Sequence, residues 1–212
     1  MLFIRLGCDA LPEGSANFGL QGRRSNDLAS RSLVPNALVD LEECVPGIVV
    51  EMRYAAARNF LGRALYRLPR ASLRAPVARK LANGPKAAAM AGLGLKVWDA
   101  FRPAVVQRLM WAACPDPRFV APPERGSRHT RGAAVDVTLV RLNDGAELPM
   151  GTGFDDFTPR AASDFEALPA EVLANRHQLR DLMLAAGFTG IRSEWWHFDD
   201  AEWEKYPMIE GA

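Results

Sequence analysis

The 212-residue sequence lacks most of the features that would place it at a glance. Its three cysteines, Cys8, Cys44 and Cys114, are odd in number and far apart, with no Cys-x-x-Cys pair. That excludes a disulfide framework or a thiolate metal site, and three reduced thiols are expected. Charge of one sign is also missing: Lys+Arg 26 against Asp+Glu 25 leaves a net +1, so no bulk field argues for nucleic acid or an anionic membrane as partner. No apolar run approaches the roughly 18 residues of a membrane span. Leu2, Phe3 and Ile4 are cut short by Arg5, well below the ~7–15 apolar residues of a secretory signal, and a cytoplasmic location is expected. Histidine is scarce too, at three: His129, His177 and His197.

What is present is ordinary for a folded chain: 49% hydrophobic and 24% charged residues, with no repeat and no low-complexity tract. Residues 13–36 are rich in Gly, Ser, Asn and Arg without periodicity, and residues 1–36 read as a loose extension. Residues 37–206 read as one catalytic domain, followed by a 207–212 tail.

The β-branched stretch Gly47–Tyr54 suits a strand. Residues 71–91 suit a helix broken or kinked by Pro76 and Pro85. Leu95–Phe101 alternates as a strand, and Pro103 suits the first residue of a helix bearing Val106, Leu109, Met110 and Ala113. Four prolines between 114 and 128 predict a loop. In Ala134–Val140, Val135, Val137 and Leu139 face one way and Asp136 and Thr138 the other. Pro169–Ala186 has helical periodicity ending at Gly187, with His177 on the solvent side. Glu194–Phe198 is aromatic and strand-like. Strands and helices intersperse without βαβ spacing, so an α+β fold with a central, mainly antiparallel sheet and flanking helices is expected.

Two short segments carry ligand-type side chains: Ser127-Arg-His129-Thr-Arg-Gly132-Ala-Ala-Val-Asp136 and Glu194-Trp-Trp-His197. Hydrolytic zinc takes three protein ligands of imidazole and carboxylate type and keeps one position open, and His129, Asp136 and His197 make such a set. Residues seven apart on a regular strand point to opposite faces, so His129 and Asp136 converge only if the backbone turns, which Gly132 permits. By the same parity Glu194 must sit in a turn or bulge before its strand to lie beside His197. Each segment alone also has a structural reading, a chance His-x6-Asp or a core histidine paired with a carboxylate.

Together with MRYAAARNFLG (52–62), WDAFRP (98–103), MWAA (110–113) and LPMGTGFDDF (148–157), the segments SRHTRGAAVDVTL and EWWHF resemble, in the same order, the D-alanyl-D-alanine dipeptidases of the vancomycin-resistance type. These belong to a wider zinc-peptidase group with lysostaphin-like and hedgehog-like domains. The resemblance covers about residues 40–200. It implies an α+β fold with one Zn²⁺ per chain on the sheet, held by His129, Asp136 and His197, and a small zwitterionic dipeptide as substrate. It further implies Glu194 as catalytic base, Arg102 as the cation beside the oxyanion, Asp155 as partner of the substrate ammonium, and Ser127 and Tyr54 in the substrate pocket. A peptidoglycan carboxypeptidase or endopeptidase of the same fold and a non-catalytic hedgehog-like zinc-binding domain are the alternatives, and a role in glycopeptide resistance or in dipeptide recycling stays open.

Overall fold

The computed structural model describes residues 37–209, so the expected 1–36 extension and Cys8 lie outside the described residues. The elements run β1 (Leu38–Asp40), α1 (Leu41–Cys44), β2 (Val49–Val50), a 3-10 turn at Arg53–Ala55, β3 (Ser72–Arg74), α2 (Ala75–Leu81), α3 (Asn83–Ala89), β4 (Leu93–Asp99) and α4 (Ala104–Ala113). After a 3-10 turn at His129–Arg131 come β5 (Ala134–Arg141), α5 (Ala170–Ala185), β6 (Phe188–Gly190) and β7 (His197–Asp200). Five strands form one sheet in the order β2-β4-β5-β7-β6, while β1 and β3 pair separately. The β4–β5, β5–β7 and β6–β7 pairings are antiparallel and β2 joins β4 in parallel, giving the expected α+β class with a mixed sheet.

The alternation in β5 places the core. Val135, Val137 and Leu139 are fully buried and cluster with Leu81, Leu95, Leu179, Met183 and Phe188 from the strands and helices around them. Full burial of each such side chain is worth about 1.5–3 kcal/mol, so this face alone anchors the central strand. Asp136 and Thr138, on the other face, are also buried. Among the described residues no helix is long and apolar enough to cross a membrane.

Several boundaries differ from the sequence expectation. The Gly47–Tyr54 strand shrinks to Val49–Val50; the Glu51 N–H still bonds to the Val97 carbonyl, and the chain then turns into the 3-10 segment. The 71–91 helix is two helices meeting at Ala82, preceded by a strand at Ser72–Arg74. The aromatic strand begins only at His197, because Trp195 and Trp196 form a turn. α5 matches its expected span closely and leaves His177 exposed, but it also buries Arg176. That guanidinium donates to the carbonyls of Met150, Ala162 and Arg160 at 2.7, 3.0 and 2.9 Å, pinning the loop between β5 and α5.

Residues 206–209 lie along the loop that precedes β5. Arg74 Nη2 donates to the Pro207 carbonyl, Arg131 Nη1 to the Tyr206 carbonyl, and the Ile209 N–H to the Thr130 carbonyl.

Candidate active site

A single irregularity in strand pairing lines up the polar residues. β4 and β5 pair in regular register from Leu93↔Arg141 to Val97↔Val137, then shift so that Asp99, not Trp98, faces Asp136. A bulge of this kind re-aims side chains, and here it moves Asp99 onto the face that carries Asp136. Because Asp136 also pairs with His197 of β7, the residues Asp99, Asp136 and His197 form one row across three strands.

His129 reaches the row from the loop. The 3-10 turn His129–Arg131 ends at Gly132, whose φ of +66° reverses the chain. A side chain there would place a Cβ 2.9 Å from Leu38 Cδ2 as well as strain the backbone, so glycine is required twice over. Ser127 holds the start of the turn, its hydroxyl accepting from the His129 N–H at 3.2 Å.

The donor atoms converge. His129 Nε2 lies 3.2 Å from His197 Nδ1 and 3.4 Å from Asp136 Oδ1, and His197 Nδ1 lies 3.0 Å from Asp136 Oδ1. Ligand atoms about 2.0–2.1 Å from a tetrahedral zinc are about 3.3 Å apart, so the triangle has the right size. Its chemistry fits as well. His129 Nδ1 donates to the Ala100 carbonyl at 2.7 Å, and His197 Nε2 donates to Asp199 at 2.9 Å. With the outer nitrogens protonated, the inner faces of two imidazoles and a carboxylate bring lone pairs together, an arrangement that calls for a cation. Burial opposes a charge on His197, but in the metal-free protein Asp199 and Asp136 outweigh it and hold its pKa well above the ordinary imidazole value, so an ion bound there would displace a proton from Nδ1. Burial likewise pushes Asp136 up, and His129 and His197 overcome it to hold the carboxylate well below its usual range. These buried residues can therefore hold a metal ion.

A cavity of about 320 Å³ opens over the triangle and is lined by all eight residues singled out in the sequence: Tyr54, Arg102, Ser127, His129, Asp136, Asp155, Glu194 and His197. Glu194, in the turn before β7, brings Oε2 to 3.9 Å from His197 Nδ1. Burial pushes its pKa up to about 7, with Asp136 and Asp155 adding to the rise and His197 opposing it. Asp155, at an unusual φ of +57°, accepts from the Tyr54 hydroxyl at 2.8 Å and the Phe60 N–H at 3.2 Å. Burial nevertheless raises it to about 7. Arg102 is clamped by Asp99 Oδ2 through Nε (3.0 Å) and Nη2 (2.7 Å) and by Gln107 Oε1 through Nη1 (3.0 Å). Three of its five N–H groups are thus engaged, and Asp99 also accepts from the Tyr66 hydroxyl at 2.5 Å.

A profile of the peptidase family M15 described as D-ala-D-ala dipeptidase matches residues 35–208. The chain belongs to this family. Curated D-alanyl-D-alanine dipeptidases similar to it include that of Escherichia coli (strain K12), 40% identical over 81% of this chain and 89% of the relative. Those of Enterococcus faecium and Streptomyces coelicolor are 32% and 34% identical, each over 74% of this chain and 88% of the relative. For a chain of the D-ala-D-ala dipeptidase family, the parts that sequence reasoning missed are supports: Asp199 behind His197, the Ala100 carbonyl behind His129, and Gln107 and Tyr66 around Arg102 and Asp99. Asp199 carried a signal, since two residues beyond His197 in a strand puts it on the same face. Ala100 and Tyr66 come from distant segments and had none, and Gln107, five residues beyond Arg102, was not singled out.

Proposed function

We propose that the chain is a zinc-dependent dipeptidase that hydrolyses D-Ala-D-Ala or closely related D,D-dipeptides. The observation that carries this reading is a single small cavity with a His-Asp-His donor triangle and Glu194 at one side and Asp155 at the other. The family and the printed activity of the relatives support the same assignment. When bound by His129, Asp136 and His197, a zinc ion supplies a Lewis acid for the scissile carbonyl and a water that ionises near neutral pH.

The protein's own groups divide the remaining work. Glu194, largely buried beside the triangle with a pKa of about 7, takes the proton of the attacking water and returns it to the leaving amine. Arg102, held rigid by Asp99 and Gln107, turns its remaining N–H groups toward the charge that develops on the carbonyl oxygen. Asp155 and Tyr54 receive the substrate ammonium, and Ser127 completes the pocket. A cavity of about 320 Å³ sits at the small end of ligand pockets and suits a dipeptide. An acylated amine would leave Asp155 desolvated without a counter-charge, which selects free dipeptides over longer stems.

The test is turnover by the zinc-loaded protein of D-Ala-D-Ala, N-acetyl-D-Ala-D-Ala and a pentapeptide stem. Hydrolysis of the free dipeptide alone is expected. Glu194→Gln should keep the metal and lose about 10²–10⁴-fold in turnover. Equal cleavage of free and acetylated dipeptides, or a zinc-loaded Glu194→Gln with full activity, would refute the assignment.

A further inference from the structure

A second cavity of about 330 Å³, similar in size to the first, backs onto the candidate active site. Trp98, Phe154 and Trp195 are among its walls, and Arg53, Arg58, Thr138, Glu147 and Thr152 are its polar residues. Two of these groups are buried with unused hydrogen-bonding capacity. Arg53 is 7% exposed and Thr138 fully buried, and neither Arg53 Nε nor Thr138 Oγ1 has a hydrogen-bond partner. Buried polar atoms of this kind are rare and costly unless something fills the space beside them. Glu147 accepts from Arg53 Nη2 (2.7 Å), Trp98 Nε1 (3.1 Å) and Lys96 Nζ (3.2 Å), and all three bonds arrive at Oε1.

We propose that this second cavity binds a small zwitterionic α-amino acid, its carboxylate on Arg53 Nε and the Thr138 hydroxyl and its ammonium on Glu147 Oε2. A bare cation would meet Arg53, Arg58 and Lys96 against only Glu51 and Glu147. A bare anion would satisfy Arg53 and Thr138 but face the Glu147 carboxylate. A zwitterion answers both ends.

The two cavities share their partition. Arg53 and Tyr54, Phe154 and Asp155, and Trp195 and Trp196 are sequence neighbours, one of each pair lining each cavity. Thr138 stands two residues beyond Asp136 on the same face of β5. An amino acid in the second cavity therefore presses on the segments that place Tyr54 and Asp155. Resting on the dipeptidase reading, the occupant is of the same class as the reaction product, and the site couples product level to the substrate pocket.

Calorimetric titration of the zinc-loaded full chain with D-alanine tests the proposal. Two sites are expected in the wild type. Asp155→Asn should remove one; Thr138→Val, which keeps the shape and deletes the hydroxyl, should weaken the other by about tenfold or more and leave the Asp155-dependent site in place. Glu147→Gln serves as a second variant with the same expected loss. Acetate and ethylamine, each carrying one charge of the zwitterion, should bind there at least about tenfold more weakly than D-alanine. A single site in the wild type, both sites intact in Thr138→Val and Glu147→Gln, or acetate binding as tightly as D-alanine would overturn the proposal. Absence of D-Ala-D-Ala turnover by the wild type would instead overturn the dipeptidase reading, while the titration still decides the second site.

Discussion

The two sides of the candidate active-site cavity are built from different material. On one side the donors His197 and Asp136 sit opposite each other on paired strands, and the outer nitrogens of His129 and His197 are both bonded. On the other side Tyr54 and Asp155 come from a 3-10 turn and a long loop, fastened by their mutual bond and by Arg176 behind them. Electrostatics divides the same way. The carboxylates of the strand side, Asp136 and Asp199, are lowered by the imidazoles despite burial, whereas Asp155 on the loop side is raised by burial to about 7. The strand side is thus braced by its own hydrogen bonds around a place for a cation, whereas the loop side carries a carboxylate whose charge burial opposes.

The strongest way to break the contrast is to remove a donor. His197→Ala should abolish tight metal binding, measured by metal content after dialysis, and lower turnover by more than the about 10²–10⁴-fold that acid–base help alone supplies. On the loop side, Asp155→Asn should leave metal content unchanged and lower kcat/KM for D-Ala-D-Ala by about 10²-fold, as expected when one partner of a buried charge pair is lost. Asp199→Asn should weaken metal binding about 10–100-fold, read by chelator competition, because it removes the acceptor that orients His197.

The smallest effect is the most discriminating. In the metal-free protein Asp155 keeps its proton up to about pH 7, against about 3.9 in an unfolded chain. The folded state then binds more protons between those values, and stability falls as pH rises through that window. Asp136 and Asp199 act in the opposite sense: their lowered values give stability that is present above the unfolded pKa and lost as pH falls. Asp155→Asn should therefore match wild-type Tm near pH 4 and exceed it at pH 8, by about 2–4 °C for each kcal/mol relieved. A Tm difference that is constant with pH would show that the two sides do not differ in this way.

Much of this arrangement was readable from local pattern. The alternation of Ala134–Val140, the glycine turn after His129 and the placement of Glu194 ahead of its strand follow from backbone parity, which sequence spacing records directly. The row Asp99–Asp136–His197 does not follow, because it depends on a bulge at Trp98 that exists only once β4 meets β5. Short strands such as Val49–Val50 and Phe188–Gly190 are likewise made by their partners and not by their own two or three residues. Arg176 was hidden for a related reason: its acceptors are carbonyls 14 to 26 positions away.

The contacts of residues 206–209 with Arg74, Thr130 and Arg131 bear on the order in which the site is completed. The His129 turn is held from outside by backbone groups 75 to 79 residues further along, so its final shape waits until they have left the ribosome at about 5–20 residues per second. A chain stopped before Tyr206 would carry all three donors and yet leave the turn that presents His129 without its outer support. Such an incomplete chain is expected to hold an ion in the His129, Asp136 and His197 triangle less tightly than the full chain.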